Sequence, residues 1–510
     1  MSDRRQFIVA LGAATLLPDL KASTTRDPFT LGVASGSPRD TSVVLWTRLA
    51  PDPLNGGGMP AGRVEVEYRV YADESRQRLV QRGTVETSEH KAHSVHVLVR
   101  GLEPGREYWY QFRHGDALSP LGRTRTTDMK AGRARLALAS CNSYESGRFA
   151  AYADMAKWAP DCVIHVGDYI YEGAAAALGV TRRRVGAGEL SFESVRQHNG
   201  AETVTLWDYR NRYALYRSDA QLQAAHAASP WIVALDDHEI DNNWAGDVPQ
   251  DPWAQTRLEF KVRKLAALQA YYEHMPIEQP PQLAGLDTHL QLYGAYRFGP
   301  AQVHLLDTRQ YRSDQVCGQG FPGDESCEAF QDPSLTMLGT TQEQWLVETL
   351  RRSTARYNVL ASQTWFAPFR YNAPPAAPRI NMDQWDGYPL ERQRMIELLA
   401  SGVANPVVLS GDWHASAAMR IHRDPWNTRS PRVGHNLCGT SISSHCPWSA
   451  AMRDALQDNP HVDHLNGDRR GYLRCDVDSG GWRSEFRVVE DPRQADSAVR
   501  TELEIRLQDV

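Results

Sequence analysis

Four short polar clusters carry side chains that can bind a metal or move a proton. They are Ser140-Cys141-Asn142, Gly167-Asp168-Tyr169-Ile170-Tyr171-Glu172, Asp236-Asp237-His238-Glu239 and Gly411-Asp412-Trp413-His414. Each follows directly on a short apolar run, so each lies where a buried strand would end. In open α/β sheets, ligands bind outside the carboxyl ends of the strands. Four strands delivering carboxylates, histidines and a cysteine to that edge would converge on one place. Singly, each cluster has an ordinary explanation. A Gly-Asp pair is often a turn whose Asp bonds its own backbone. Asp-Asp-His-Glu suits a helix N-terminus, and a lone His414 suits an interior histidine. The shared topological position is what argues for a common site.

The donor types indicate which ions such a site would take. Carboxylate and amide oxygens favour hard ions such as calcium, magnesium or manganese. A thiolate, an imidazole and a phenolate favour a transition metal such as iron or zinc. Both sets occur here, which points to a mixed cluster bridged by Asp168. Cys141 stands at a strand end beside Asn142, a place that favours ligation over service as a small hydrophobe. Tyr171, three residues after Asp168, reaches the same ion if the loop turns at once; otherwise it is a packing aromatic. A two-metal site clamps the attacking and leaving oxygens of a phosphoryl centre and acidifies bound water. Phosphoryl transfer rests mostly on such charge stabilisation.

The elements that would position these clusters are short apolar runs. Arg135–Ser140, Val163–Val166, Trp231–Leu235, Val303–Leu306, Val359–Ala361 and Val407–Leu409 fit strands covered on both faces. Helices are expected between them, over about 149–157, from Gln255 to Met275 before Pro276, and from Thr341, where Thr341 and Gln344 form a capping-box pair. This is an α/β layout. Ahead of it, residues 29–127 read as a small all-β module. Val43–Thr47, the alternating Val64–Tyr71, Val95–Val99 and Tyr108–Phe112 are strands separated by Gly/Pro turns, the pattern of a β-sandwich. Its Leu-Glu-Pro-Gly turn resembles fibronectin type III modules, and its expected role is packing. Residues 134–490 form the expected catalytic domain and 491–510 a C-terminal tail.

The chain has 510 residues, 41% hydrophobic and 23% charged, with a net charge of −6. It is long enough for a large core and has no basic stripe of the kind that binds nucleic acid. Arg4-Arg5 precede an apolar stretch from Val9 to Leu17, the layout of a twin-arginine export signal over residues 1–22. That stretch is shorter than the ~20 residues a membrane span needs, and no longer apolar segment follows. A periplasmic or extracellular location and a transient encounter with the twin-arginine export machinery are expected. Of the seven cysteines, an odd number leaves at least one unpaired. Cys317 and Cys327 could close the Gly-rich loop between them in an oxidising compartment, and Cys438 and Cys446 could pair similarly.

These motifs carry a family resemblance. Gly167–Tyr171 resembles the Gly-Asp-x-x-Tyr element of calcineurin-like metallophosphoesterases and purple acid phosphatases. Asp237-His238-Glu239 looks like their Asn-His-Glu motif, and Gly411–His414 like their Gly-His-x-His motif with Asp replacing the first His. Ser-Cys-Asn at 140–142 stands where they carry Asp-x-His. Together with Trp385-Asp386-Gly387-Tyr388, Gly439-Thr440-Ser441-Ile442 and Asn466–Tyr472, these departures match the PhoD-like alkaline phosphatase branch from about Phe29 nearly to the C-terminus. The resemblance implies an N-terminal sandwich before a four-layer αββα core. It implies one ferric iron on Cys141, Asp168, Tyr171 and His414. It also implies one or two calcium ions on Asp168, Asp237 and Asp412, with Asn142 or Asp236 as further contacts. His238 would give a proton to the leaving oxygen, bind phosphate or orient a carboxylate. Arg469 and Arg470 would either bind phosphate as a guanidinium fork or form structural ion pairs.

The function so implied is exported hydrolysis of phosphomonoesters, phosphodiesters or both by metal-activated hydroxide. Within enzymes the alternative is a phospholipase-D-like or teichoic-acid-type phosphodiesterase, with 174–205 and 467–472 as candidate pocket walls. The alternative of another class is a non-catalytic cell-surface binding protein that uses the sandwich.

Overall fold

The computed structural model describes residues 27–510 apart from 186–187, 283–284, 318–322, 325–326 and 373–378. The export signal expected over 1–22 lies outside the described residues. Two large sheets form the body. The first has nine strands in the order Val499–Leu507, Gly481–Val489, Gly471–Asp478, Arg133–Ala139, Cys162–His165, Pro230–Val233, Val33–Gly36, Ser42–Arg48 and Ser94–Arg100. The second has seven: Gly294–Phe298, Ala301–Leu305, Tyr357–Ala361, Pro406–Ser410, Arg432–Cys438, Ser416–His422 and Val462–Asn466. The central strands of both are parallel.

The apolar runs are continuous because alternate side chains enter different cores. Leu136, Ile164 and Ile232 meet Val303, Val359 and Leu409 between the two sheets. Their neighbours Ala137, Val163 and Trp231 point the other way, toward the helices Ala150–Trp158, Leu206–Arg217, Ala220–Ala228 and Arg257–His274. Leu360 and Val408 likewise leave the sheet–sheet core and pack under Gly339–Arg352 and Pro389–Ala400. The result is the expected four-layer αββα core, in which period two is invisible because both faces are apolar.

The sandwich of the N-terminal region is built differently from the expected separate module. A sheet with Leu79–Thr87, Val64–Tyr71 and Glu107–His114 packs through Val66, Val70 and Tyr110 onto Val43, Leu45 and Val97. Those partner strands belong to the nine-stranded sheet, because Val33–Gly36 pairs in parallel with Pro230–Val233 through Ser35–Pro230 and Gly36–Trp231. Gly36 is required at this seam, since a Cβ there would lie 2.3 Å from the Pro276 carbonyl oxygen.

Three other expectations are corrected. Residues 491–510 are no free tail, for Val499–Leu507 is the edge strand beside Gly481–Val489. The helix expected from Thr341 starts at Gly339 with Leu338 before it and no side-chain cap. Cys438 and Cys446 are free and buried; the Cys438 thiol accepts a hydrogen bond from Trp365 Nε1 at 2.7 Å. Cys317 and Cys327 do form a disulfide. Thr256 with Glu259 and Thr205 with Asp208 make capping boxes that sequence reading overlooked. Among the described residues no helix is long and apolar enough to cross a membrane.

Candidate metal centre

The four polar clusters leave their strands at the same edge and interlock there. The Cys141 and Asn142 amides donate to the carbonyls of Gly167 (3.1 Å) and Asp168 (3.0 Å). Gly167, at φ +104°, allows this: a Cβ would stand 2.4 Å from the Asp236 backbone nitrogen. Gly411 does the same between the two sheets, because its Cβ would meet Ser140 Oγ at 2.4 Å. The glycine of each Gly-Asp pair is therefore there for close approach of neighbouring strand ends, and the aspartate follows at once into the site.

Four of the expected ligands sit in the left-handed region. The φ values are +58° at Cys141, +56° at Asp168, +62° at Asp412 and +55° at His414. A non-glycine residue there costs on the order of 1–3 kcal/mol and persists only where surrounding structure imposes it. Such strain after three strands aims four donors inward.

Donor atoms group into three overlapping sets, each within 4.8 Å of one another: Cys141, Asp168 and His414; Asp168, Asp237 and His238; Asp236, Asp237 and Asp412. Asp168 belongs to two of them. The Tyr171 hydroxyl donates to Asp168 Oδ2 at 2.9 Å and lies 3.2 Å from His414 Nε2. His414 Nδ1 donates to the His445 carbonyl at 2.5 Å, so Nε2 keeps the lone pair that a metal needs. The Asp236–Asp237–Asp412 set adjoins a wholly buried guanidinium. Arg309 Nε donates to Asp236 Oδ1 at 2.5 Å, Nη2 lies 3.6 Å from Asp237 Oδ1, and the fork pairs with Asp383 at 2.9 and 2.7 Å.

The electrostatics are those of a cation site. Burial pushes the Asp168 carboxyl well above its usual range, with Asp237 and Asp236 adding to the shift. Burial and the Asp236 and Asp237 charges do the same to Asp412, and burial with the Asp168 charge raises the Cys141 thiol. Asp236 is pushed up to about 7 by burial. Burial also works to raise Asp237, but Arg309 and His238 outweigh it and hold that carboxyl low. Adjacent buried acids cannot all ionise without more positive charge. Asp236 Oδ2 and Asp237 Oδ1 are buried without a hydrogen-bond partner, a state that a bound cation relieves. The donor set and these unpartnered oxygens fit divalent or trivalent metal.

His238 shares this edge. Its Nδ1 lies 2.7 Å from Glu172 Oε2, and its ring centre lies 4.2 Å from that of Tyr171, tilted by 30°. Burial lowers its pKa, but Glu172, Asp237 and Asp168 overcome that and raise it well above the usual histidine value.

Two expected contacts behave otherwise. The Asn142 amide is spent on the core: its oxygen takes bonds from His165 (2.8 Å) and Tyr152 (3.2 Å), and its nitrogen donates to the Tyr169 carbonyl. Arg470 is buried and donates to the carbonyls of His414, Ser444 and Gly467 and to Ser441 Oγ. That is neither a free phosphate fork nor an ion pair. Arg469 is half-buried, and its carbonyl accepts from Thr440 Oγ1.

Sequence reading missed several supporting residues. Glu239 accepts from the amides of Asp168, Tyr169 and Asp236, tying two strand ends together. Glu172 holds His238. Both lay inside quoted motifs without a role. Arg309 follows the run Val303–Leu306, so the strand-end rule that found the other clusters could have found it. Asp383 gave no such signal.

Comparison with known proteins adds to this geometry. The chain matches the PhoD-like phosphatase family over residues 136–486 and the PhoD-like phosphatase N-terminal domain over residues 13–128. It is 46% identical over 486 residues to alkaline phosphatase D of Bacillus subtilis (strain 168), covering 93% of this chain and 80% of that protein. A solved structure of PhoD superposes with a TM-score of 0.87 at 44% identity, covering 95% of this chain and 91% of that one.

Proposed function

This chain belongs to the PhoD-like phosphatase family and is a phosphoric ester hydrolase; from that premise we propose an exported enzyme that uses a mixed metal cluster. One ferric iron is assigned to Cys141, Asp168, Tyr171 and His414, and one or two calcium ions to Asp168, Asp237 and Asp412, with Asp236 adjoining. The observation that carries the reading is the convergence of three donor sets on Asp168 and Asp237, each set within 4.8 Å. When bound, the metals supply Lewis-acid neutralisation of the phosphoryl oxygens and a more acidic water.

The chain's own groups do the rest. Asp168, shared between two sets, holds the halves of the site in register. Glu172 takes Nδ1 of His238, which leaves Nε2 as the ring position that can carry a proton to a departing oxygen. Glu172, the largest of the charges that favour the protonated ring, is not one of the assigned metal ligands and stays beside His238 to support it as a proton donor. Strand-end loops that bond to one another preorganise the donors. Residues 29–127 serve as scaffold and 134–490 as the catalytic part. Export through the twin-arginine route is supported by Arg4-Arg5 ahead of the Val9–Leu17 apolar stretch.

The test is turnover of p-nitrophenyl phosphate and bis-p-nitrophenyl phosphate with calcium and after chelation, alongside elemental analysis of the exported protein. Turnover lost in chelator and restored by calcium is expected. Equal rates with and without chelator would sink calcium dependence, and the ratio of the two substrates separates monoesterase from diesterase.

A further inference from the structure

The loop after the strand Arg432–Cys438 brings one hydroxyl to the phenol of Tyr171. Ser444 is 2% exposed, and its Oγ lies 2.7 Å from Tyr171 Oη. The same oxygen donates to the Cys141 carbonyl at 2.7 Å and accepts from the Ser143 amide at 3.2 Å. A serine hydroxyl has one proton and two lone pairs, and the Tyr171 proton goes to Asp168 Oδ2, so the single Ser444 proton serves either the Cys141 carbonyl or the Tyr171 oxygen.

The loop cannot drift, because Arg470 clamps it. Nη1 of this buried guanidinium donates to the Ser444 carbonyl at 2.6 Å and to the His414 carbonyl at 2.8 Å. Ser441 Oγ also donates to the Ser444 carbonyl, at 2.6 Å. One planar group thus sets the spacing between the loop that carries the imidazole and the loop that carries the hydroxyl. The next residue, His445, accepts from His414 Nδ1.

We infer that Ser444, held by Arg470, is a positioning residue for Tyr171: its hydroxyl hydrogen-bonds the phenol oxygen and sets how strongly that oxygen donates to the metal. This rests on reading Tyr171 as a ligand of ferric iron. The Ser444 proton can turn from the Cys141 carbonyl to a phenolate oxygen by rotation about one bond. A hydrogen bond to a charged oxygen is shorter and stronger than one to a neutral acceptor. It draws electron density from the phenolate and raises the energy of phenolate-to-iron charge transfer.

The experiment compares wild type, Ser444→Ala, Ser444→Thr and Arg470→Lys by visible absorption and by iron per chain. In Ser444→Ala the charge-transfer band is expected to move to longer wavelength with iron retained, and Ser444→Thr should return it toward wild type. Arg470→Lys keeps the charge but loses the fork, so its iron per chain should fall. A wild-type band that stays in place in Ser444→Ala overturns the inference alone. A wild-type protein with neither band nor iron overturns the ferric reading, and the inference with it.

Discussion

The two sides of the metal centre are held by different physics. Around Cys141, Tyr171 and His414 the fixing contacts are hydrogen bonds to neutral groups: the Ser444 hydroxyl, the His445 carbonyl and the carbonyls that Arg470 grips. Around Asp236 and Asp237 the fixing contact is charge, supplied by Arg309, which Asp383 in turn anchors. The first side is shaped in advance by hydrogen bonds, with the Arg470 cation facing carbonyl oxygens instead of carboxylates. On the second, closely set carboxylates would repel one another, and a protein cation holds them in place before any metal arrives.

That contrast can be broken at its joint. Asp168 serves both sides, so Asp168→Asn should cost several kcal/mol of transition-state stabilisation, on the order of a thousandfold in p-nitrophenyl phosphate turnover. Wild-type rates in this variant would refute the shared role. Arg309→Met attacks the charged side alone. It strands Asp236 and Asp237 in the interior, while Asp383 keeps Arg312, and should cost about 3–5 kcal/mol of stability, read as a drop in melting temperature. Added calcium should recover part of that loss by binding the folded state; a melting temperature indifferent to calcium would mean that these carboxylates hold none. Cys141→Ser attacks the hydrogen-bonded side. Iron content by elemental analysis should fall while the calcium response of the melting temperature survives, and unchanged iron would remove Cys141 from the ligand set. The smallest effect is expected from Glu239→Gln, which turns an acceptor of three backbone amides into a group with its own N–H donors. About 1–3 kcal/mol is expected, visible in denaturant unfolding, and no change would mean that the two strand ends are held by other contacts.

Much of this was legible before any coordinates. The rule that ligand-type residues follow buried strands found Cys141, Asp168, Asp237, Asp412 and His414 together, because strand direction alone decides where such residues go. It failed where local residue type gives no direction. Arg470 read equally as a phosphate fork or a structural ion pair, yet its guanidinium turns inward to carbonyl oxygens, and nothing in an Arg-Arg pair foretells that. Asn142 looked like a ligand, yet His165 and Tyr152, which lie 23 and 10 residues away, use up its oxygen. Cys438 and Cys446 stood a plausible distance apart in sequence, but Cys438 ends a strand under Trp365. Thr341 matched a capping pattern, while Gly339 at φ +70° let the helix begin two residues earlier.

The seam between Val33–Gly36 and Pro230–Val233 has a practical corollary for anyone dividing this protein. A cut near residue 128 falls in an exposed stretch and looks harmless in one dimension. It would strip the neighbour from the parallel strand Pro230–Val233, baring a row of unsatisfied amides and carbonyls next to the apolar side chains of Trp231 and Ile232. Bare borders of that kind recruit other chains. A catalytic fragment prepared without its first hundred residues should therefore clump, and the front segment acts as a permanent cover for a strand that cannot be left open.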